Sequence, residues 1–196
     1  VDNDGINITF NIFEGEKVLV ERIDVLGNNI TNEDVIRGEL LLDEGDPYTQ
    51  LAIEKSVSEL RARNIFKNVS YEVVPGSEAN LKKINLTVEE KATGEISAGA
   101  GVGTSGGTVA FNIKENNWLG QGKIVQFNLE LDEEQLKGTI NYENPNYDFL
   151  GNSINYFLTS ESNDKPDKGY ENSVTAAGIN TSFEQYNDLR ASLGIS

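Results

Sequence analysis

The chain has 196 residues, with 16 Lys and Arg against 32 Asp and Glu, a formal net charge of −16, and no Cys, His or Met. Without Cys there is no disulfide, thiol nucleophile or zinc-thiolate site, and without His the commonest general base and transition-metal ligand is missing, so an enzyme is disfavoured and no cofactor or metal site is expected. The acidic excess is shared by both halves, 18 acidic against 10 basic residues through Thr93 and 14 against 6 after it, a field that repels polyanions and argues against nucleic acid as a partner.

In chain order, residues 5–12 alternate apolar and polar side chains and stop at Glu14-Gly15, which reads as a half-buried strand and a turn. This strand has no partner earlier in the chain, so 1–15 is expected to close a preceding domain. The start at Val1, without an initiator or signal peptide, fits an internal piece of a longer protein. A second strand is expected over 18–25, ended by Gly27-Asn28. Thr31-Asn32-Glu33-Asp34 offers an N-cap with an acid three residues on, leading into a short helix with Val35, Ile36, Leu40 and Leu41. Thr49 can cap a second helix in which Leu51, Ile53, Val57 and Leu60 lie near one apolar face. Residues 66–74 and 81–88 alternate again and are linked by Pro75-Gly76, giving the order β-α-α-β-β over 16–92.

From residue 93 the helix signals stop. Glycine marks the change, with 6 before Gly94 and 13 from it onward. Ile96, Ala98, Ala100 and Val102 alternate with Ser97, Gly99, Gly101 and Gly103, and Val125, Phe127, Leu129 and Leu131 with Gln126, Asn128 and Glu130. The same two-faced pattern recurs around 109–113, 140–142, 154–158, 174–180 and 189–195, for roughly six and a half strands. There is no apolar run of about 18 residues, which excludes a membrane helix, but a transmembrane β-barrel passes this test because its strands alternate. Every second connection is aromatic: Asn117-Trp118-Leu119-Gly120-Gln121-Gly122, then Tyr147-Asp148-Phe149-Leu150-Gly151-Asn152-Ser153, then 183–188. The connections between them, 104–107, 132–135 and 161–169, are polar. A membrane barrel explains the asymmetry, with Trp118, Tyr147, Phe149 and Tyr186 at a lipid–water interface and the other turns in water.

Two motifs weaken on inspection. Gly101-Val102-Gly103-Thr104-Ser105-Gly106 fits a dinucleotide fingerprint, but strand-like sequence follows where a helix N-terminus would have to meet the pyrophosphate. It reads better as a flexible hairpin. Glu89-Glu90 and Asp132-Glu133-Glu134 could suggest acid/base or calcium pairs; a solvated charge patch accounts for them more simply. For the strand succession, a plain structural or ligand-binding barrel with its apolar residues inward is the competing fold, opposed by the aromatic turns.

Gly45-Asp46-Pro47-Tyr48 with the helix after it, and Asn64-Ile65-Phe66-Lys67-Asn68-Val69, resemble the inter-helix and helix-to-strand motifs of a POTRA domain, and Glu14-Gly15-Glu16-Lys17 resembles the link between consecutive POTRA domains. Gly99-Ala100-Gly101-Val102-Gly103-Thr104, Asn117 to Gly122, Asn144-Pro145-Asn146-Tyr147 and 186–194 resemble the opening strands of the barrel in the BamA family of outer-membrane β-barrel assembly proteins. The resemblance implies an α+β POTRA domain followed by an incomplete antiparallel transmembrane barrel, in the outer membrane with the POTRA domain in the periplasm. It implies insertion of unfolded outer-membrane protein clients into the lipid of that membrane, helped by assembly-complex lipoproteins at the POTRA domain, with no cofactor. A lateral seam would be formed by Glu95, Ile96, Ser97, Ala98, Gly99, Ala100, Gly101, Val102 and Gly103, and client strands would pair in the periplasm with Val69, Ser70, Tyr71, Glu72 and Val73. A two-partner secretion or TamA-type translocation pore is the alternative within the same architecture.

Overall fold

The computed structural model describes residues 9–10, 16–103, 106–165, 169–186 and 189–196; the strand expected over 5–12 lies outside them except for Thr9 and Phe10, which belong to no regular element. Strand β1 (Leu19–Leu26) is followed by helices α1 (Glu33–Arg37) and α2 (Gln50–Ala62) and by strands β2 (Phe66–Pro75) and β3 (Leu81–Glu90). The sheet order is β1-β3-β2, with β1 parallel and β2 antiparallel to the central strand. Parallel neighbours need a crossover, and the two helices lie on it. They bury one face of the sheet. Ile36 of α1 and Val57 and Leu60 of α2 pack with Val69, Leu86 and Val88, while Ile53 packs with Val20, Ile23 and Ile84; Leu40 and Tyr71 lean on both clusters. An irregularity between Val20 and Arg22 lets Val20 and Ile23, three residues apart, serve the same face.

Local signals were partly overridden by packing. Thr49 caps α2 as its position demands, its Oγ1 accepting from the Ala52 N–H at 3.3 Å. Leu51, expected on the apolar face, is 76% exposed, and Ser56 is buried in that face instead, its hydroxyl donating to the Ala52 carbonyl and accepting from the Leu41 N–H, both at 2.8 Å. Helix α1 is capped by Asn32 in position only, with no side-chain capping bond, and it ends at Arg37, so Leu40 and Leu41 follow the helix. Thr31 is committed elsewhere: it is buried and accepts a hydrogen bond from Asn117, across the chain. Among the described residues no helix is long and apolar enough to cross a membrane, which says nothing of strands.

After Lys91-Ala92-Thr93 come strands β4 (Gly94–Gly103), β5 (Gly106–Trp118), β6 (Lys123–Leu131), β7 (Gln135–Asn144), β8 (Ser153–Lys165), β9 (Tyr170–Tyr186) and β10 (Leu189–Ile195). They form one antiparallel sheet in chain order, open at β4 and β10. Directly opposed residues share a face, so the register sorts the chemistry. Ile96, Ile113, Phe127, Ile140 and Leu158 line up on one side; Ser97, Asn112, Asn128, Thr139 and Thr159 line up on the other. The polar side is stitched by hydrogen bonds between Asn112 and Asn128 and between Thr139 and Thr159. All buried hydrophobic residues among those described fall between Val20 and Val88. The barrel strands therefore hold no core of their own, and an apolar face this extensive is suited to lipid.

Strands β8 and β9 absorb most of the connection expected over 161–169, and β9 continues through Phe183 to Tyr186, where a turn was expected. Most of the added residues gain a cross-strand partner, such as Lys165 opposite Tyr170 and Tyr186 opposite Leu189, with Gln185 passed over at an irregularity, and backbone pairing outweighs side-chain polarity. Phe157 departs from the alternation by standing on the polar side, where it covers Gly178; a Cβ added there would lie 2.5 Å from its ring.

Candidate functional site

Strand β4 pairs with β5 on one side, from Gly94 opposite Glu115 to Gly103 opposite Gly106, and has no strand partner on the other among the described residues. Ile96 and Val102 are 74% and 92% exposed. At Gly99 and Gly101 an added Cβ would meet nothing within 4 Å. Side-chain contact with the rest of the chain is therefore sparse, and backbone bonds to β5 hold the strand. Glycine weakens a strand interior by roughly 0.5–1 kcal/mol relative to Ala. Of the Gly101 to Gly106 motif, Gly101 to Gly103 end β4 and Gly106 opens β5, with a strand and no helix after it, while Thr104 and Ser105 lie outside the described residues.

Strand β2 is an edge of the three-stranded sheet. Val69, Ser70, Tyr71, Glu72 and Val73 pair with Val88, Thr87, Leu86, Asn85 and Ile84 of β3, leaving the opposite edge without a strand among the described residues. Val69 is buried and Tyr71 half-buried toward the helices, while Ser70 and Glu72 are exposed. Part of this backbone is already satisfied: Arg61 Nη2 donates to the Val69 carbonyl at 2.6 Å.

The aromatic turns do more than their composition announced, because two of them meet the α/β domain. In the β5–β6 turn, Asn117 Nδ2 donates to Thr31 Oγ1 at 2.9 Å, its Oδ1 accepts from the Gly122 N–H at 2.7 Å, and the Gly120 carbonyl accepts from the Asn32 N–H at 2.8 Å. Gly120 and Gly122 have φ of 71° and 63°, and a Cβ on Gly120 would lie 2.1 Å from the Ile30 carbonyl oxygen. Glycine is thus required twice over, for conformation and for close approach. In the β7–β8 turn, Asn146 Nδ2 donates to the Gly38 carbonyl at 2.9 Å and Glu39 Oε1 at 3.2 Å, and Phe149 lies over Gly38, where a Cβ would come within 2.5 Å of the ring. Trp118, Tyr147 and Phe149 all keep an exposed part.

Two charged residues support the junction: Arg63, which the sequence did not mark, and Glu90, which the sequence offered only as part of a solvated charge patch. Arg63, the C-cap of α2, donates from Nη2 to the Gly122 carbonyl at 2.5 Å and lies 3.5 Å from Glu39. Burial lowers the affinity of its guanidinium for the proton, partly countered by Glu39 and Glu143. Glu90, at the end of β3, receives the backbone N–H groups of Asn29, Ile30 and Thr31 at 3.0, 3.0 and 2.6 Å. Burial works to raise its pKa, but these hydrogen bonds prevail and hold it below the usual carboxylate range. Glu89 is a surface charge paired with Lys67 at 2.6 Å. Asp132 shapes a turn by accepting from the N–H groups of Glu134 and Gln135, and Glu134 faces Lys165 at 3.3 Å. Both acidic runs are thus accounted for structurally.

Comparison with known proteins agrees with this layout. Residues 18–91 match the family model POTRA, described as surface antigen variable number repeat. The chain is 26% identical over 192 residues to the outer membrane protein assembly factor BamA of Neisseria meningitidis serogroup B, which covers 97% of this chain and 23% of that protein. The crystal structure of BamA from Haemophilus ducreyi lacking POTRA domains 1-3 matches 92% of this chain and 35% of that one, with a TM-score of 0.80 at 22% identity. CdiB from Acinetobacter baumannii shares the fold less closely, with a TM-score of 0.57 at 14% identity over 85% of this chain and 33% of that one. The class is therefore a POTRA domain joined to the strands of an outer-membrane β-barrel. Within it, the chain is similar over nearly its whole length to the BamA proteins named above and spans about a quarter of the length of the curated relative. Its location is the bacterial outer membrane, with the POTRA domain in the periplasm.

Proposed function

We propose that residues 16–92 and 93–196 are the last POTRA domain and the opening strands of an insertase that assembles β-barrel proteins in the outer membrane, with 1–15 closing a preceding domain. The glycine-rich make-up of β4, in which Gly99 and Gly101 add no side-chain contact to the backbone pairing with β5, is the observation that supports this most directly. In hydrocarbon every unpaired backbone group costs several kcal/mol, so an opened edge captures any strand offered to it. The clients are unfolded outer-membrane proteins, taken first along the β2 edge by strand addition and passed to β4 at a seam with the last barrel strand. Lipoprotein partners act at the POTRA domain. The chemistry is exchange of hydrogen-bonded strands, with no covalent step or cofactor. Trp118, Tyr147 and Phe149 mark the periplasmic lipid interface, the side on which the turns at 117–122 and 144–152 meet the POTRA domain, while the side chain of Tyr186 lies outside those described. A secretion or TamA-type pore would share the architecture, but the likeness to CdiB is the weaker of the two structural matches.

The test is a reversible lock. Cys pairs placed in β4 and the last strand of the complete barrel should abolish client insertion into vesicles when oxidised and restore it on reduction. A quantitative lock that leaves insertion unchanged would exclude the seam.

A further inference from the structure

The POTRA domain and the barrel strands meet through hydrogen bonds and close backbone approach, without a shared apolar core. Buried hydrophobic residues end at Val88, whereas of the buried polar residues Thr31, Ser56, Asn116 and Asn117 all but Ser56 lie at or beside this meeting point. A cavity of about 290 Å³ remains between the two parts, lined among others by Arg63, Glu39 and Asn146. Such a junction separates more readily than a core, because the freed polar groups regain water.

Arg63 crosses it. Its side chain and that of Glu39 are only 13% and 12% exposed, and both belong to the POTRA domain. The ion pair therefore stays intact whether or not the two parts touch. Undocking breaks the bond from Arg63 to the Gly122 carbonyl at 2.5 Å and the bond from Asn146 to Glu39 at 3.2 Å and takes Arg63 away from Glu143 of β7, but it leaves the guanidinium paired with Glu39. Leaving a buried charge unpaired is the costly event in such sites, and this arrangement avoids it. The contact to Gly122 is strong because it is charge-assisted, and releasable because the charge carries its partner with it.

We infer that Arg63 is a positioning residue, a latch that holds the POTRA domain docked on the turn at Gly122 and whose release lets the domain swing relative to the barrel. The consequence for client delivery rests on the insertase reading: docking fixes the angle at which the β2 edge faces β4. The docking itself does not depend on that reading.

The experiment uses the full-length protein in lipid nanodiscs, with spin labels at Glu59 on the outer side of α2 and Glu171 on β9, both exposed. Pulsed electron–electron distances should be narrow in the parent protein. Arg63→Ala should add a second, displaced population, raising the ratio of undocked to docked molecules by roughly tenfold, as expected for a lost hydrogen bond to a charged donor. Arg63→Lys, which keeps the charge opposite Glu39 but lacks the planar fork, should fall between the two. Gly122→Ala breaks the same contact from the barrel side, since its Cβ would lie 2.6 Å from Val35 Cγ1, and it decides the matter if Arg63→Ala fails to fold. Distance distributions that match the parent in both Arg63→Ala and Gly122→Ala, or in Gly122→Ala alone where Arg63→Ala does not fold, overturn the latch. The same result overturns it even if client insertion slows. A shifted distribution in the variants, with a parent protein that itself inserts no client, supports the latch and refutes the insertase reading.

Discussion

Replacing Phe127 by Arg tests which face of the sheet meets lipid. Strand β6 has nine residues and Phe127 is its fifth. At about 3.4 Å per residue such a strand is about 30 Å long, and a tilt of about 40° leaves about 23 Å along the membrane normal, close to the apolar band of about 25 Å that such barrels present. Phe127 therefore sits near the midplane, flanked by Ile113 and Ile140 in register. Arg at that depth should cost about 2–4 kcal/mol. Asn128→Arg, one residue on, enters the polar face between Asn112 and Thr139 and forfeits the bond to Asn112, a loss of about 1 kcal/mol. Phe127→Ala separates loss of aromatic contact from burial of charge. Reversible urea unfolding of the complete barrel in phospholipid vesicles measures all three. An Asn128→Arg penalty equal to or above that of Phe127→Arg would reverse the assignment of faces.

Residues 16–91 produced alone should unfold in one cooperative transition, and Leu60→Ala, removing a fully buried side chain between α2 and the sheet, should lower their stability by about 2–5 kcal/mol in a urea titration; an unchanged midpoint would contradict the described core. Because the folded-state pKa of Glu90 is depressed, its contribution is present above the ordinary carboxylate pKa of about 4.3 and lost as pH falls through the lower folded value. Glu90→Gln should therefore destabilise the domain at neutral pH and flatten the fall in its melting temperature across that acid window, and a parallel-shifted curve of unchanged slope would count against the three-donor site. Gly99→Val with Gly101→Val should leave the barrel folded, since both positions open onto free space within this chain, yet slow client insertion by strengthening β4; an unchanged rate would show that opening of this strand does not limit insertion.

What could be read in the sequence was periodicity. Alternation at Ile96 to Val102 and Val125 to Leu131 survives in the register because a strand has no other way to place its side chains. Thr49 was legible as a cap for the same reason, being a local device. The junction was not legible. Arg63 and Gly122 are 59 residues apart, and Asn117 and Thr31 are 86 apart, so no local spacing links them. Thr31 even sent the wrong signal: its hydroxyl fits a helix cap, but the distant Asn117 claims it. The closest hint was the pair Gly120 and Gly122, whose positive φ and lack of space for a side chain could be suspected from a Gly-Gln-Gly turn but not assigned to a neighbour. The edge positions of β2 and β4 were expected from family resemblance rather than read from composition.

If the proposed insertion route holds, β4 forms backbone pairs with a client strand while that strand enters the membrane. Single Cys residues at Ser97 and at Ala98 of the full-length protein, combined with single Cys residues along the terminal strand of an arrested client, would report that pairing as disulfides formed in the membrane. Crosslinks should form at alternating client positions, with the pattern moving by one residue between Ser97 and Ala98, because adjacent residues of a strand face opposite sides. Efficient insertion with no crosslink from either position, or with crosslinks of equal yield at every client position, would contradict that route.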